Sequence, residues 1–177
     1  MQRAAIAIVE YLLGFFSLAV FAAYAFAQGA PTDERWVSAF KLGASIAVIE
    51  LLVLFYRKAL ANRLVIGANI WLLVAGVAAF TEQWWVLHGY ERFGEASLFT
   101  AMLLVGLVST AVPGGFVAVI GPRRRVLVAS GALFIAVVVA LLLAITFRGN
   151  IKLAAVLPVI GLSWLNRALQ RFAKSAA

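Results

Sequence analysis

Glu10 and Glu50 are carboxylates set inside stretches that otherwise read as membrane-spanning helices. A carboxylate in hydrocarbon is costly, and such residues mark proton or ion sites by default. Glu10 lies seven residues past Arg3, Glu50 seven residues before Arg57, and Asn69 six residues past Arg63. At the helical rise, all three fall about 10 Å in from basic residues of one membrane edge. Ser130 and Ser163 count to a similar depth from Arg125 and Arg167. Two carboxylates brought together there cannot both stay ionised without a cation or a shared proton. The expected chemistry is therefore proton or cation binding by Glu10, Glu50 and Asn69.

The helices that carry these residues must present them to one another. Glu10, Gly14 and Ser17 share one side of the first helix; Gly43, Ala47 and Glu50 share one side of the second. Small residues mark close helix contact in lipid, so both glutamates are expected on packing faces. The strings Ile6-Ala7-Ile8-Val9-Glu10 and Ile46-Ala47-Val48-Ile49-Glu50 echo each other. Lys41 points about half a turn away from Glu50 and is expected to snorkel outward, toward Asp33 or Glu34.

A second place for chemistry is Val112-Pro113-Gly114-Gly115. Proline removes a donor and the glycines loosen the backbone, so a kinked or broken helix is expected. Ser109 and Thr110 lie one turn before it, and Pro158 counts to a similar depth in the last apolar segment. Broken helices are where transporters place substrates, so these residues form a candidate broken-helix site. Ala132, Ala136, Ala140 and Ala144 form a ridge at four-residue spacing, an expected packing interface inside the chain or between subunits.

Composition supports a membrane setting throughout. Of 177 residues, 65% are hydrophobic and only 12% charged, where a soluble domain carries about 25% charged residues. Mean hydropathy is +1.04. Six apolar segments follow by length: 4–27, 36–55, 64–80, 96–120, 126–147 and 151–165, the last continuing as a basic amphipathic turn to Phe172. If the last segment is interfacial, five remain. Ala25-Phe26-Ala27 before Gln28 resembles a signal cleavage site, but the apolar stretch is too long for one and holds Glu10. The fold class expected is an all-α polytopic transmembrane helical bundle, one membrane-embedded domain over 1–177 with no soluble domain.

Alternate loops hold Arg3, then Arg57, Lys58 and Arg63, then Arg123 to Arg125, then Arg167, Arg171 and Lys174: ten basic residues and no acid. The positive-inside rule then puts both termini in the cytoplasm. The net charge of +8 is thereby used at membrane edges, so nucleic acid is not an expected partner. The stretch Glu82–Tyr90, with Trp84, Trp85 and His88, is read as an aromatic interfacial loop on the other side.

Several classes fall away. With no cysteine and one histidine, thiolate metal sites, cysteine nucleophiles and paired haem ligands are excluded. Glycine-rich phosphate loops and metalloprotease helices are absent from the sequence, His88 and the lone Asp33 place no triad, and no cofactor or metal is expected. An enzyme is the least favoured class. The leading expectation is a small transporter or channel-like protein of the bacterial inner membrane, in contact with lipid and acting as a homo-oligomer or with a larger membrane partner. The alternative is a non-catalytic accessory or assembly subunit of a larger membrane complex.

Overall fold

The computed structural model describes residues 15–29, 32–56 and 62–174. Among them every regular element is helical. In chain order these are α1 (Phe16–Phe26), α2 (Asp33–Tyr56), α3 (Arg63–Phe80), α4 (Trp84–Phe93), α5 (Ala96–Thr110) and α6 (Arg123–Thr146); a π-helical stretch, Lys152–Val156, then leads into α7 (Leu157–Lys174).

Among the described residues four helices are long and apolar enough to cross a membrane: α2, α3, α6 and the continuous Lys152–Lys174 helix. A fifth arises if α4 and α5 count as one broken span. Of the expected first span, α1 contributes 11 residues; residues 4–14, with Glu10 and Gly14, lie outside the described residues. The sixth segment, expected to be short, runs unbroken to Lys174.

The distribution of side chains suits hydrocarbon as the surrounding solvent. Ile49, Leu52, Leu104, Leu107, Val128, Ile135 and Leu142 are exposed, while Ser17, Asn69, Ser109, Ser130, Ser163 and Asn166 are buried. Without a hydrophobic drive between helices in lipid, small residues and interhelical hydrogen bonds hold the packing.

The chain divides into two compact units, Met1–Ala59 with Ala68–Tyr90, and Leu60–Gly67 with Glu91–Ala177. In the first, α1 packs along α2. Thr32 starts α2: its carbonyl accepts from the Trp36 amide at 2.8 Å, and Asp33 and Glu34 occupy the first turn, where acids complement the helix dipole. Gly43 and Gly76 set the spacing. A Cβ on Gly43 would stand 3.1 Å from both Phe21 Cβ of α1 and a Leu72 methyl of α3. A Cβ on Gly76 would overlap that of Ala44. Beyond this seam lies an aromatic cluster: Phe21 stacks on Phe40 at 4.8 Å, and Trp71 meets Phe21 edge-on at 5.3 Å. Tyr90 of α4 closes it, 5.6 Å from Trp71. The run read as a loop around His88 is thus helix α4, with His88 exposed on it; its buried contacts come from Leu87 and Tyr90, three residues apart on one face.

In the second unit α6 packs against α5 and α7. The helix α5 stops at Thr110 because Pro113 supplies no amide and disfavours helical backbone before it. Gly114 and Gly115 then take φ of +91° and +60°, open to glycine at little cost.

Candidate functional site

At one end of the α1–α2–α3 seam, opposite the aromatic cluster, three polar residues converge. Ser17 lies one and two turns before Phe21 and Ala25, so all three share the buried face of α1. Glu50 continues the face of Gly43 and Ala47 on α2, and Asn69 sits on the buried side of α3 beside Ala68 and Leu72. Ser17 and Asn69 are fully buried; Glu50 is half-buried.

Each contact with Glu50 crosses between helices. The Ser17 amide donates to Glu50 Oε1 at 3.0 Å. It is a first-turn amide of α1, and Glu50 accepts from it across the helix interface. The Ser17 hydroxyl lies 3.0 Å from Glu50 Oε2 and also donates to Asn69 Oδ1. Asn69 Nδ2 donates to Glu50 Oε2 at 2.9 Å. A carboxyl in an apolar helix therefore has donors from both neighbouring helices, which offset its removal from water.

Glu50 and Asn69 are brought together; Glu10 lies outside the described residues. Ser17 was absent from the expected set. Its signal was present in the sequence, since it shares a helix face with Glu10 and lies at four-residue spacing from Phe21. Lys41 does not reach Asp33 or Glu34: its ammonium sits 5.5 Å over the Phe80 ring. Among the described residues no group of three His, Cys, Asp or Glu could hold a metal ion.

The candidate broken-helix residues divide between several roles. Ser109 is buried, whereas Thr110 is exposed and donates to its own helix at the Leu107 carbonyl, 2.6 Å away. Pro113 is exposed at the turn. After Gly114 and Gly115 the chain does not resume a helix until Arg123; Phe116 to Val119 are buried as irregular backbone. Their polar groups are met from α6 and α7. The Ser130 hydroxyl accepts from the Phe116 amide at 3.0 Å, and Gln170 Nε2 donates to the Val117 carbonyl at 2.9 Å. Irregular backbone is tolerated at membrane depth when protein satisfies it in this way. Ser130 thus serves the loop, and Ser163 donates within its helix to the Val159 carbonyl at 2.7 Å. Pro158 is buried just past the π-helical stretch. The wider turn there is the expected answer to a ring that clashes with the carbonyl four residues back.

On α6, Ala140 and Ala144 are buried, Ala136 is half-buried and Ala132 is exposed. The packed face runs Ala129, Leu133, Val137, Ala140, Ala144. Strict four-residue spacing drifts by about 40° per step around a helix, so a four-residue ridge cannot stay on one face.

No family model, curated protein or solved structure matches the chain, so any functional reading stands on this geometry alone.

Proposed function

We propose that this chain is a small integral membrane transport protein in which Glu50, held by Ser17 and Asn69, binds a proton or cation on its way across the bilayer. The observation that supports it most is the placement of Glu50. It is the only acid of α2 beyond the first turn, and it is held from two other helices by the Ser17 amide and Asn69 Nδ2. Ionisable groups so placed in membrane helices face bundle interiors and mark ion or proton paths. Glu10, on the same helix face as Ser17 by sequence, is the second carboxyl of the path.

The setting proposed is a bacterial inner membrane crossed six times, with both termini in the cytoplasm where the basic loops lie. The molecule works as a homo-oligomer or beside a larger membrane partner, with lipid around it.

The test is flux. Vesicles containing the full chain and a pH-sensitive dye are given a proton or monovalent-cation gradient, and wild type is compared with Glu50→Gln of verified fold. Flux that disappears in the variant supports the proposal; equal flux in both rejects it.

One observation favours the alternative, an accessory or assembly subunit. On α6, Gly131 and Ala132 are exposed, and nothing lies within 4 Å of where a Gly131 Cβ would be. A bare patch of small residues suits approach by another membrane helix. Absence of flux together with a partner retained through gentle-detergent purification would favour that reading.

A further inference from the structure

The contacts around Glu50 also bear on which ion it binds, an argument that rests on the proposed role of this residue. Ser17 Oγ, Glu50 Oε2 and the Asn69 amide close a triangle. Its edges are Ser17 Oγ to Glu50 Oε2 at 3.0 Å, Asn69 Nδ2 to Glu50 Oε2 at 2.9 Å, and Ser17 Oγ to Asn69 Oδ1. Three close edges between oxygen and nitrogen atoms need three hydrogens. The Ser17 hydroxyl supplies one, and the Asn69 nitrogen supplies one along its single edge. If the carboxyl is ionised, the Ser17 hydroxyl faces two acceptors with one hydrogen, so that one edge lacks a full hydrogen bond of its own.

Turning the Asn69 amide over does not repair this. Amide oxygen and nitrogen are assigned from the hydrogen-bond network, so both settings count. In the turned setting the nitrogen donates to Ser17, Ser17 donates to Glu50, and the Asn69 oxygen lies against Glu50 Oε2 with no hydrogen between them. Either way one hydrogen is missing, and in both settings Oε2 is the atom that can carry it.

A metal cation does not complete the triangle. It would need oxygen lone pairs turned toward a common centre, yet the Ser17 amide presents a hydrogen to Oε1 in either setting, and an Asn69 N–H stands in the triangle in both, on Oε2 as found and on Ser17 Oγ when turned. Those donors hold places a cation would need and repel it.

We infer that the ion bound at Glu50 is a proton, carried on Oε2. On binding, one O–H bond forms at Oε2 with a proton from the aqueous phase and the carboxylate charge is lost. The cycle then runs Glu50 O–H to Ser17 Oγ, Ser17 O–H to Asn69 Oδ1, and Asn69 N–H to Glu50 Oε2. Oε1 keeps its carbonyl role toward the Ser17 amide. Release of the proton opens one edge of the triangle, so proton occupancy governs how firmly α1 and α3 are tied to α2 at this level.

The test is infrared spectroscopy of the full chain in lipid vesicles near neutral pH, following the C=O band of a protonated carboxyl. The expected result is a band in wild type that is lost in Glu50→Gln and displaced in Ser17→Ala, which keeps the carboxyl but removes its acceptor. Sodium or potassium added to the wild type should leave the band in place. Absence of the band in wild type, its persistence in Glu50→Gln, or its loss on adding either cation would overturn the inference. If Glu50→Gln does not fold, a band unmoved in folded Ser17→Ala overturns it equally. Flux is read separately. A band without flux keeps the proton and removes transport; flux without a band removes the proton and keeps transport.

Discussion

Asn69 of α3 donates from Nδ2 to Oε2 of Glu50 on α2 across 2.9 Å, tying two apolar helices through a buried amide and a half-buried carboxyl. Ser17 joins both from α1. This bond unites a structural role with the chemical one, because the same atoms that hold the seam surround the proposed ion site.

Removing either neutral partner should weaken the first unit. Asn69→Ala takes away one donor and one acceptor, and Ser17→Ala one hydroxyl, at two fully buried positions. Interhelical hydrogen bonds in membranes are worth about 0.6 kcal/mol on average and up to about 1.7 kcal/mol, so each change should cost on the order of 1 kcal/mol. The double variant should cost less than the sum, since both residues serve one network. Unfolding in detergent, run as a double-mutant cycle, measures this; strict additivity would mean that the two side chains act separately.

Gly76→Ala should destabilise the contact of α2 with α3, because its Cβ would overlap that of Ala44. Overpacking costs about 1–3 kcal/mol. Ala44→Gly should recover part of the loss when the two are combined. Thermal unfolding of the three variants checks the sign of the coupling.

The irregular segment after α5 should depend on Ser130. Ser130→Ala leaves the buried Phe116 amide without its 3.0 Å partner, at about 1–3 kcal/mol. Gly115→Ala should be worse, since it adds a Cβ against Ser130 Oγ and Val126 at φ +60°. Proteolysis within the segment should quicken in both variants, most in the glycine replacement.

The proposed orientation can be read by labelling. The chain has no cysteine, so single cysteines need no background removed. Arg124→Cys should react only from the cytoplasmic side and Glu91→Cys only from the opposite side. Labelling of both from one side would reject the six-span arrangement.

How much of this was legible in the sequence depends on landmarks. Glu50 and Asn69 could be matched in depth because α2 ends at Tyr56, beside the counted Arg57, and α3 begins at Arg63 itself. For α1 the counted landmark was Arg3, and the residue found at Glu50 is Ser17, seven positions past Glu10. Spacing identified the face of α1, whereas its height beside α2 is set by packing such as Phe21 against Gly43. The stop at Pro113 was likewise legible. The burial of Phe116 to Val119 was not, because it depends on Ser130 and Gln170, distant partners that local pattern does not link. The alanine ridge was legible as a four-residue repeat, but which of its members pack inside the chain was not, because helical drift hands that face from Ala132 to Leu133 and Val137.

The central claim is that Glu50 carries an ion through the membrane. Its most direct test is proton flux into dye-loaded vesicles under an imposed pH gradient, with wild type and Glu50→Gln incorporated at equal density and both verified as folded. Flux is expected for wild type and, for Glu50→Gln, only the leak of empty vesicles. Flux of the same size through the folded Glu50→Gln protein would contradict it.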